Sequence, residues 1–291
     1  MSISAFTNAS VPEPHWIAEI TPQRGLFDLH LGDLWRYRDL VFLFVRRDFV
    51  SVYKQTILGP AWHIIQPLMT TVVFTIVFGN IANLPTDGLP KFLFYMAGNV
   101  LWAYFAGCVT KTSETFVANA GIFGKVYFPR LVMPLSVVIS NLITFGIQML
   151  IFLGFLAYFY LSGAPVRPNR WLLAAPLLIV MVAGLGLGLG IIVSALTTRY
   201  RDLRHLVGFG VQLLMYGTPV VYPLSSVPAK YQALIRWNPA TPIIETFRAG
   251  FLGGGQVRPL DLAMSALSVL GVLAIGLLLF NRVERTFMDT V

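Results

Sequence analysis

Groups able to do chemistry are sparse in this chain, and their placement decides what they can do. The four histidines, His15, His30, His63 and His205, are scattered, and none has a second His at metal-ligand spacing. A lone His at the end of an apolar stretch reads as a packing or head-group residue. No Gly-x-Ser-x-Gly elbow occurs, and no Asp-x-Asp pair that could hold a metal-bound sugar nucleotide. The run Gly121-Ile122-Phe123-Gly124-Lys125-Val126 is a phosphate-loop lookalike, but Asn119 stands where the first glycine is needed and Val126 where a hydroxyl is needed. Cys108 is the single cysteine and lies in an apolar stretch, so neither an intrachain disulfide nor a cysteine metal cluster is expected. No catalytic, cofactor-binding or metal-ligating residue is therefore assigned.

What remains is chemistry of weak binding. Trp62, Gln66, Thr70, Phe74 and Phe78 recur at steps of four, and His205, Phe209, Gln212 and Tyr216 at steps of four, three and four. Aromatic rings stack on the apolar faces of sugars while amides and hydroxyls bond their edges, so these stripes suit a neutral, polyhydroxylated substrate. Bundle packing is the competing reading. An interfacial aromatic belt would likewise explain Trp62, with Tyr95, Trp102 and Tyr158.

The elements that must carry these stripes follow from composition. The chain has 291 residues, 56% apolar and only 12% charged, which excludes most soluble folds. Its charged residues avoid six windows: 55–86, 92–110, 131–166, 171–198, 205–229 and 262–281. Each can supply the roughly 20 apolar residues that cross a bilayer core as a helix. A β-barrel is excluded, because its strands alternate over about 10 residues instead of running continuously apolar. The expectation is an all-α integral membrane protein with six transmembrane helices. With no ionisable group inside a window, coupling to an ion gradient has no visible home. Lys111 and Glu114, at i and i+3 just past the second window, read as a solvated pair.

The net charge of +8 would suggest nucleic acid in a soluble protein. Here the cations flank apolar windows and read as topology signals and head-group contacts. Arg199, Arg201 and Arg204 in one short loop, with Arg46, Arg47 and Lys54 before the first span, place both termini in the cytoplasm. No cleaved signal peptide is expected at the N-terminus.

Residues 1–31 read as a tail and 32–59 as an amphipathic interface helix, ahead of the six-span domain over 60–291. At 100° per residue Arg36, Asp39, Arg47 and Lys54 fall within about 80° of one another, and Gly59-Pro60 turns the chain into the first span. The loop over 225–260 holds two short helical runs, opened by Val227-Pro228 and Thr241-Pro242, that are expected to be re-entrant or interfacial. Gly184, Gly186, Gly188 and Gly190 form two overlapping small-residue pairs that permit close helix contact, within the chain or in a dimer.

Several motifs together resemble permease subunits of polysaccharide-exporting ABC transporters. They are Arg38-Asp39-Leu40, Arg47-Asp48, Tyr53-Lys54-Gln55-Thr56, Leu58-Gly59-Pro60-Ala61-Trp62 and Gln66-Pro67-Leu68, followed by Phe128-Pro129-Arg130, Tyr200-Arg201-Asp202, Thr218-Pro219-Val220, Tyr222-Pro223 and Asn238-Pro239. The resemblance runs from about residue 33 through most of the chain. It implies a homodimer in the bacterial inner membrane, with two separate ATPase subunits that bind ATP and Mg. It also implies that a lipid-linked polysaccharide, O-antigen first among the candidates, is the cargo.

By the same resemblance, Gly124, Lys125, Phe128, Pro129 and Arg130 couple to the ATPase, and Arg46, Arg47 and Lys54 meet a lipid head group. Trp62, Gln66, Thr70 and Phe74 with Phe209, Gln212 and Tyr216 line the path. Pro219, Tyr222, Pro223, Trp237, Asn238 and Pro239 belong to an outer gate. Two alternatives stand beside this reading: a permease of the same kind for a drug or small lipid, and a membrane enzyme acting on lipid-linked sugars.

Overall fold

The computed structural model describes residues 31–54, 59–123, 128–199 and 203–287, and every regular element among them is helical. Most of the tail and the 55–58 stretch lie outside the described residues. Helix α1 (Leu31–Arg36) and α2 (Arg38–Tyr53), separated at Tyr37, cover most of the stretch expected as one interface helix. Val41, Phe44 and Val45, at helical spacing, turn one side of α2 into a small core with Phe128, Val132 and Met133. The other side leaves Phe42, Leu43, Phe49 and Val50 exposed beside Arg46 and Arg47. Apolar surface mixed with cations is what a helix lying in a head-group layer requires.

Gly59, at φ +43°, and Pro60 open a single 3-10 turn that leads into α3 (Trp62–Phe74), which continues as a π-helical stretch over Thr75–Ile81. The chain turns at 82–90 into α4 (Lys91–Ser113), and Lys91 reaches back to cap the π-helix, its Nζ donating to the Gly79 carbonyl at 2.6 Å. Two short turns, α5 (Thr115–Ala118) and α6 (Ala120–Phe123), precede the long α7 (Val132–Leu161). A 3-10 turn at Arg170–Ala174 runs into α8 (Ala175–Arg199), followed by α9 (Leu203–Tyr216), α10 (Ala229–Trp237), α11 (Ala240–Leu252) and α12 (Pro259–Phe287).

Among the described residues, five helical stretches are long and apolar enough to cross a membrane: 62–81, 91–113, 132–161, 170–197 and 259–282. They match five of the six uncharged windows. The 205–229 window is different. The α-helix α9 there, 14 residues long, reaches about 21 Å at 1.5 Å per residue. After it the run 217–223 is non-helical, with Thr218, Pro219, Val220 and Val221 buried inside protein, and a 3-10 turn at Leu224–Ser226 follows before α10.

Helix α4 is the axis of the bundle. Leu93 through Leu101 are all buried, because α3, α7, α8, α9 and α11 all pack on it. In lipid, apolar area does not drive helices together, so close packing must. The glycines of α8 supply it on two faces. Gly186 and Gly190 lie against Cys108 and Thr112 of α4, where an added Cβ would stand 2.6 Å from each side chain. Gly184 and Gly188 lie against Val269, Val272 and Leu273 of α12, and Gly276 meets the Gly188 carbonyl. The four alternating glycines therefore serve contacts within one chain.

Candidate functional site

The bundle has two distinct ends. At the α2 end, Phe44 packs at a tilt against Phe128 with ring centroids 5.8 Å apart, and Thr197 donates to the Ser113 carbonyl at 3.1 Å, joining α8 to the end of α4. Arg46 is exposed on α2. Arg47 forms an ion pair with Asp48 at 2.7 Å and covers the Phe44 ring at 4.8 Å, while Lys54 is exposed. Phe128 and Arg130 are buried and Pro129 half-buried, so Phe128 ties the segment before α7 to α2. Gly124 and Lys125 lie outside the described residues.

Lys111, just past the second window, is exposed in the last turn of α4. Its Nζ donates to Asn141 Oδ1 of α7 at 3.0 Å, so its bond is to a neighbouring helix and not to Glu114.

At the opposite end, α11 sits in the middle of the fold with all 13 of its residues buried. A helix with one apolar face was expected; this one is enclosed all round, while α10 leaves Tyr231, Leu234 and Trp237 exposed. The sequence reading passed over the charges that α11 carries inside. The Arg248 side chain is only 1% exposed. Its Nη1 donates to the Pro219 carbonyl at 2.5 Å and its Nη2 to the Val220 carbonyl, and its guanidinium covers the Phe94 ring at 3.8 Å. Glu245, one turn earlier, stands 3.6 Å from Nη1. The backbone N–H groups of Leu224 and Gln256 lie near the Glu245 carboxylate and favour its charged form.

The pair thus fastens α11 to the break after α9, to the turn at 224 and to α4. Gly98 of α4 is required there, since a Cβ on it would stand 2.5 Å from Arg248 Nη2. Burial holds the Glu245 carboxyl above the usual carboxylate range, although Arg248 and the two backbone donors pull it back. Burial likewise pulls Arg248 down to about 10 against the opposing pull of Glu245. The one sequence signal for this site was a Glu-x-x-Arg step inside an otherwise apolar run.

The residues expected at the outer gate surround this knot. Pro219 and Pro223 are buried, and the Tyr222 hydroxyl donates to the Tyr216 carbonyl at 2.9 Å. Asn238 Nδ2 donates to Thr218 Oγ1 at 2.8 Å, while its Oδ1 accepts from the Ala240 N–H at the start of α11. Ser265 of α12 donates to the Pro239 carbonyl at 2.6 Å. Trp237 is exposed.

The two stripes behave differently. On α9, Phe209, Gln212 and Tyr216 are all exposed on one face. On α3, Trp62 and Gln66 are exposed and Thr70 half-buried, its hydroxyl bonded back to the Gln66 carbonyl. Phe74 turns inward, edge-on to Phe78 at 5.4 Å and to Tyr95 of α4 at 6.4 Å.

A bundle of apolar helices surrounds one buried axis, and the short α9 is tied at its end by the fully buried α11. The model of the ABC-2 type transporter family matches residues 39–252. The chain belongs to the ABC-2 type transporter family. As an ABC-2 permease it is similar to the O-antigen export system permease protein RfbA of Klebsiella pneumoniae, 29% identical over 86% of this chain and 94% of that protein. It is similar at 27% to RfbA of Myxococcus xanthus, over 87% of this chain and 96% of that protein. Polysialic acid transport protein KpsM of Escherichia coli is 24% identical over 84% of this chain and 93% of that protein. The family match begins in α2 and ends with α11, so the ABC-2 permease unit includes the Arg248 knot.

Proposed function

We propose that the chain is the transmembrane subunit of an ATP-driven exporter that moves a lipid-linked polysaccharide, of the O-antigen class, across the bacterial inner membrane. The observation that carries this reading is likeness over nearly the whole length to permeases named for O-antigen export and polysialic acid transport. In this reading two copies of the chain pair and two separate ATPase subunits, which bind ATP and Mg, dock at the α2 end. Both termini lie in the cytoplasm, and α9 with the buried run after it counts as the fifth of six spans.

The geometry supports a division of labour. The segment before α7, held to α2 through Phe44 and Phe128, is placed to pass a docked subunit's movement into α7. The exposed aromatic and amide groups of α9, with Trp62 and Gln66 of α3, offer sugar-compatible contacts, and the aliphatic Met69, Val72 and Val73 of α3, with Ile76 of its π-helical continuation, offer none that hold. Weak contact suits a polymer that must keep moving. At the outer end, α10, α11 and the run 217–224 form a unit whose tie to α4 can open only if Arg248 and its carbonyl partners move together or part.

Deleting the gene and measuring surface polysaccharide tests the reading. Loss of surface polymer, with accumulation of lipid-linked material inside and restoration by the wild-type chain, is expected. Normal surface polymer in the deletion strain, or purification in mild detergent with no phosphate-loop subunit attached, would sink it.

A further inference from the structure

At the α2 end, four helices flank an open cavity of about 240 Å³ lined by Asp48, Phe49 and Ser51 of α2, His63 of α3, Lys111 of α4, and Val137, Ser140 and Thr144 of α7. It differs from the exposed cations of α2 that the sequence singled out. Lys111 has three N–H donors, and one is given to Asn141. The Ser140 hydroxyl is buried without a hydrogen-bond partner. Such an orphan is rare in a folded interior and calls for an explanation.

The one acidic group in the lining, Asp48, is already neutralised by Arg47, which donates to the same carboxylate oxygen from Nε at 2.9 Å and Nη2 at 2.7 Å. The Ser51 hydroxyl bonds the Asp48 backbone carbonyl and leaves that carboxylate alone. The remaining polar wall therefore has a positive charge and hydroxyls, and Phe49 and Val137 add apolar surface. Lys111 is exposed in the last turn of α4, so its remaining donors are open to an anion in the cavity.

We infer that this cavity, through Lys111 and Ser140, seats the phosphate or diphosphate head group of the lipid that carries the exported polymer, with Phe49 and Val137 against the first carbons of its chain. The assignment rests on the export reading. An ordinary anionic phospholipid presents related chemistry, and the test separates the two.

The full chain in nanodiscs of zwitterionic lipid is titrated with radiolabelled farnesyl diphosphate. Saturable binding to wild type is expected, weakened about tenfold or more in Lys111→Gln, because a charge-assisted bond is lost. Lys111→Gln can still donate to Asn141, so the helix contact survives. Lys111→Arg should retain binding, Ser140→Ala should weaken it severalfold, and Lys230→Gln, an exposed change on α10 at the opposite end, should leave it within about twofold of wild type. No saturable binding to wild type, or equal binding by wild type and Lys111→Gln, overturns the assignment. Displacement of the probe by an equal concentration of a short-chain phosphatidylglycerol also overturns it, making the cavity a general phospholipid site. None of these results touches the export reading, which stands or falls separately on surface polymer in the deletion strain.

Discussion

The guanidinium of Arg248 lies 3.8 Å over the ring of Phe94 while both of its terminal nitrogens donate to consecutive carbonyls, those of Pro219 and Val220. One side chain thereby joins α11, the central α4 and the non-helical end of the short α9. A planar fork can do this; an ammonium presents its donors from a single point.

Removing that fork should be expensive. For Arg248→Met we expect a loss of about 3–5 kcal/mol, since Glu245 would be left as an uncompensated buried charge and two carbonyls would lose their donor. Arg248→Lys should recover only part. The double variant Glu245→Gln/Arg248→Met should lose less than the single changes summed, a coupling that thermal unfolding in detergent can measure. Full additivity would mean that the two side chains do not act as a unit.

Glu245 gives a pH dependence with a definite sign. Its carboxyl is held above the ordinary value of 4.5, chiefly by burial, so the folded state binds the proton more tightly than the unfolded chain. Its contribution is therefore greatest below that ordinary value and is lost as pH rises through the raised one. Wild type should lose stability relative to Glu245→Gln as pH rises from about 4.5, and the difference should level off once Glu245 is ionised. A gap between the two melting curves that stays constant with pH would refute the argument.

The glycines separate packing from openness. Gly190→Ala brings a Cβ to 2.6 Å from Thr112 and should cost about 1–3 kcal/mol by overpacking. Gly208→Ala and Gly210→Ala, with nothing within 4 Å, should leave the thermal stability of the isolated chain unchanged or slightly raised. Any loss of export in those two variants then reports on what the α9 face meets in the assembled transporter.

Phe74 and Phe209 should divide in the same way. Phe74→Ala should destabilise by about 3 kcal/mol or more, because the ring is packed between Phe78 and Tyr95. Phe209→Ala, at an exposed position, should leave melting unaltered and reduce surface polymer if the α9 face touches the cargo. The comparison needs only two strains and one detergent melt.

How far the sequence carried the reading depends on what each signal measured. An absence of charge marks lipid-compatible length well, so α4, α7, α8 and α12 fall on their windows. It does not distinguish an apolar helix from an apolar loop buried in protein. The 205–229 window therefore read as a full span, although Pro219 and Pro223 already argued against helix there.

Steps of four drift by about 40° per step on a helix of 100° per residue. From Trp62 to Phe74 the drift reaches about 120°, which is why that stripe begins in the open and ends against α4. Phe209, Gln212 and Tyr216, at steps of three and four, stay within about 60° and keep one face. The knot at Arg248 was hidden by an assumption: charges in a connecting loop are taken to be solvated, and only tertiary packing reveals that this loop is interior. Lys111 and Glu114 are both exposed at the end of α4, as a solvated pair there would be, but the bond that Lys111 makes to Asn141 of α7 needed the tertiary packing to be seen.

The broken end of α9 also bears on the order of biosynthesis. Non-helical backbone at membrane depth is tolerated only where protein satisfies it. The carbonyls of Pro219 and Val220 obtain their donors from a residue 28 positions further along the chain than Val220. A nascent chain that has completed α9 thus lacks the donors for these two carbonyls. Their bonding must wait until α11 has been made, so residues 203–252 close as one unit of assembly.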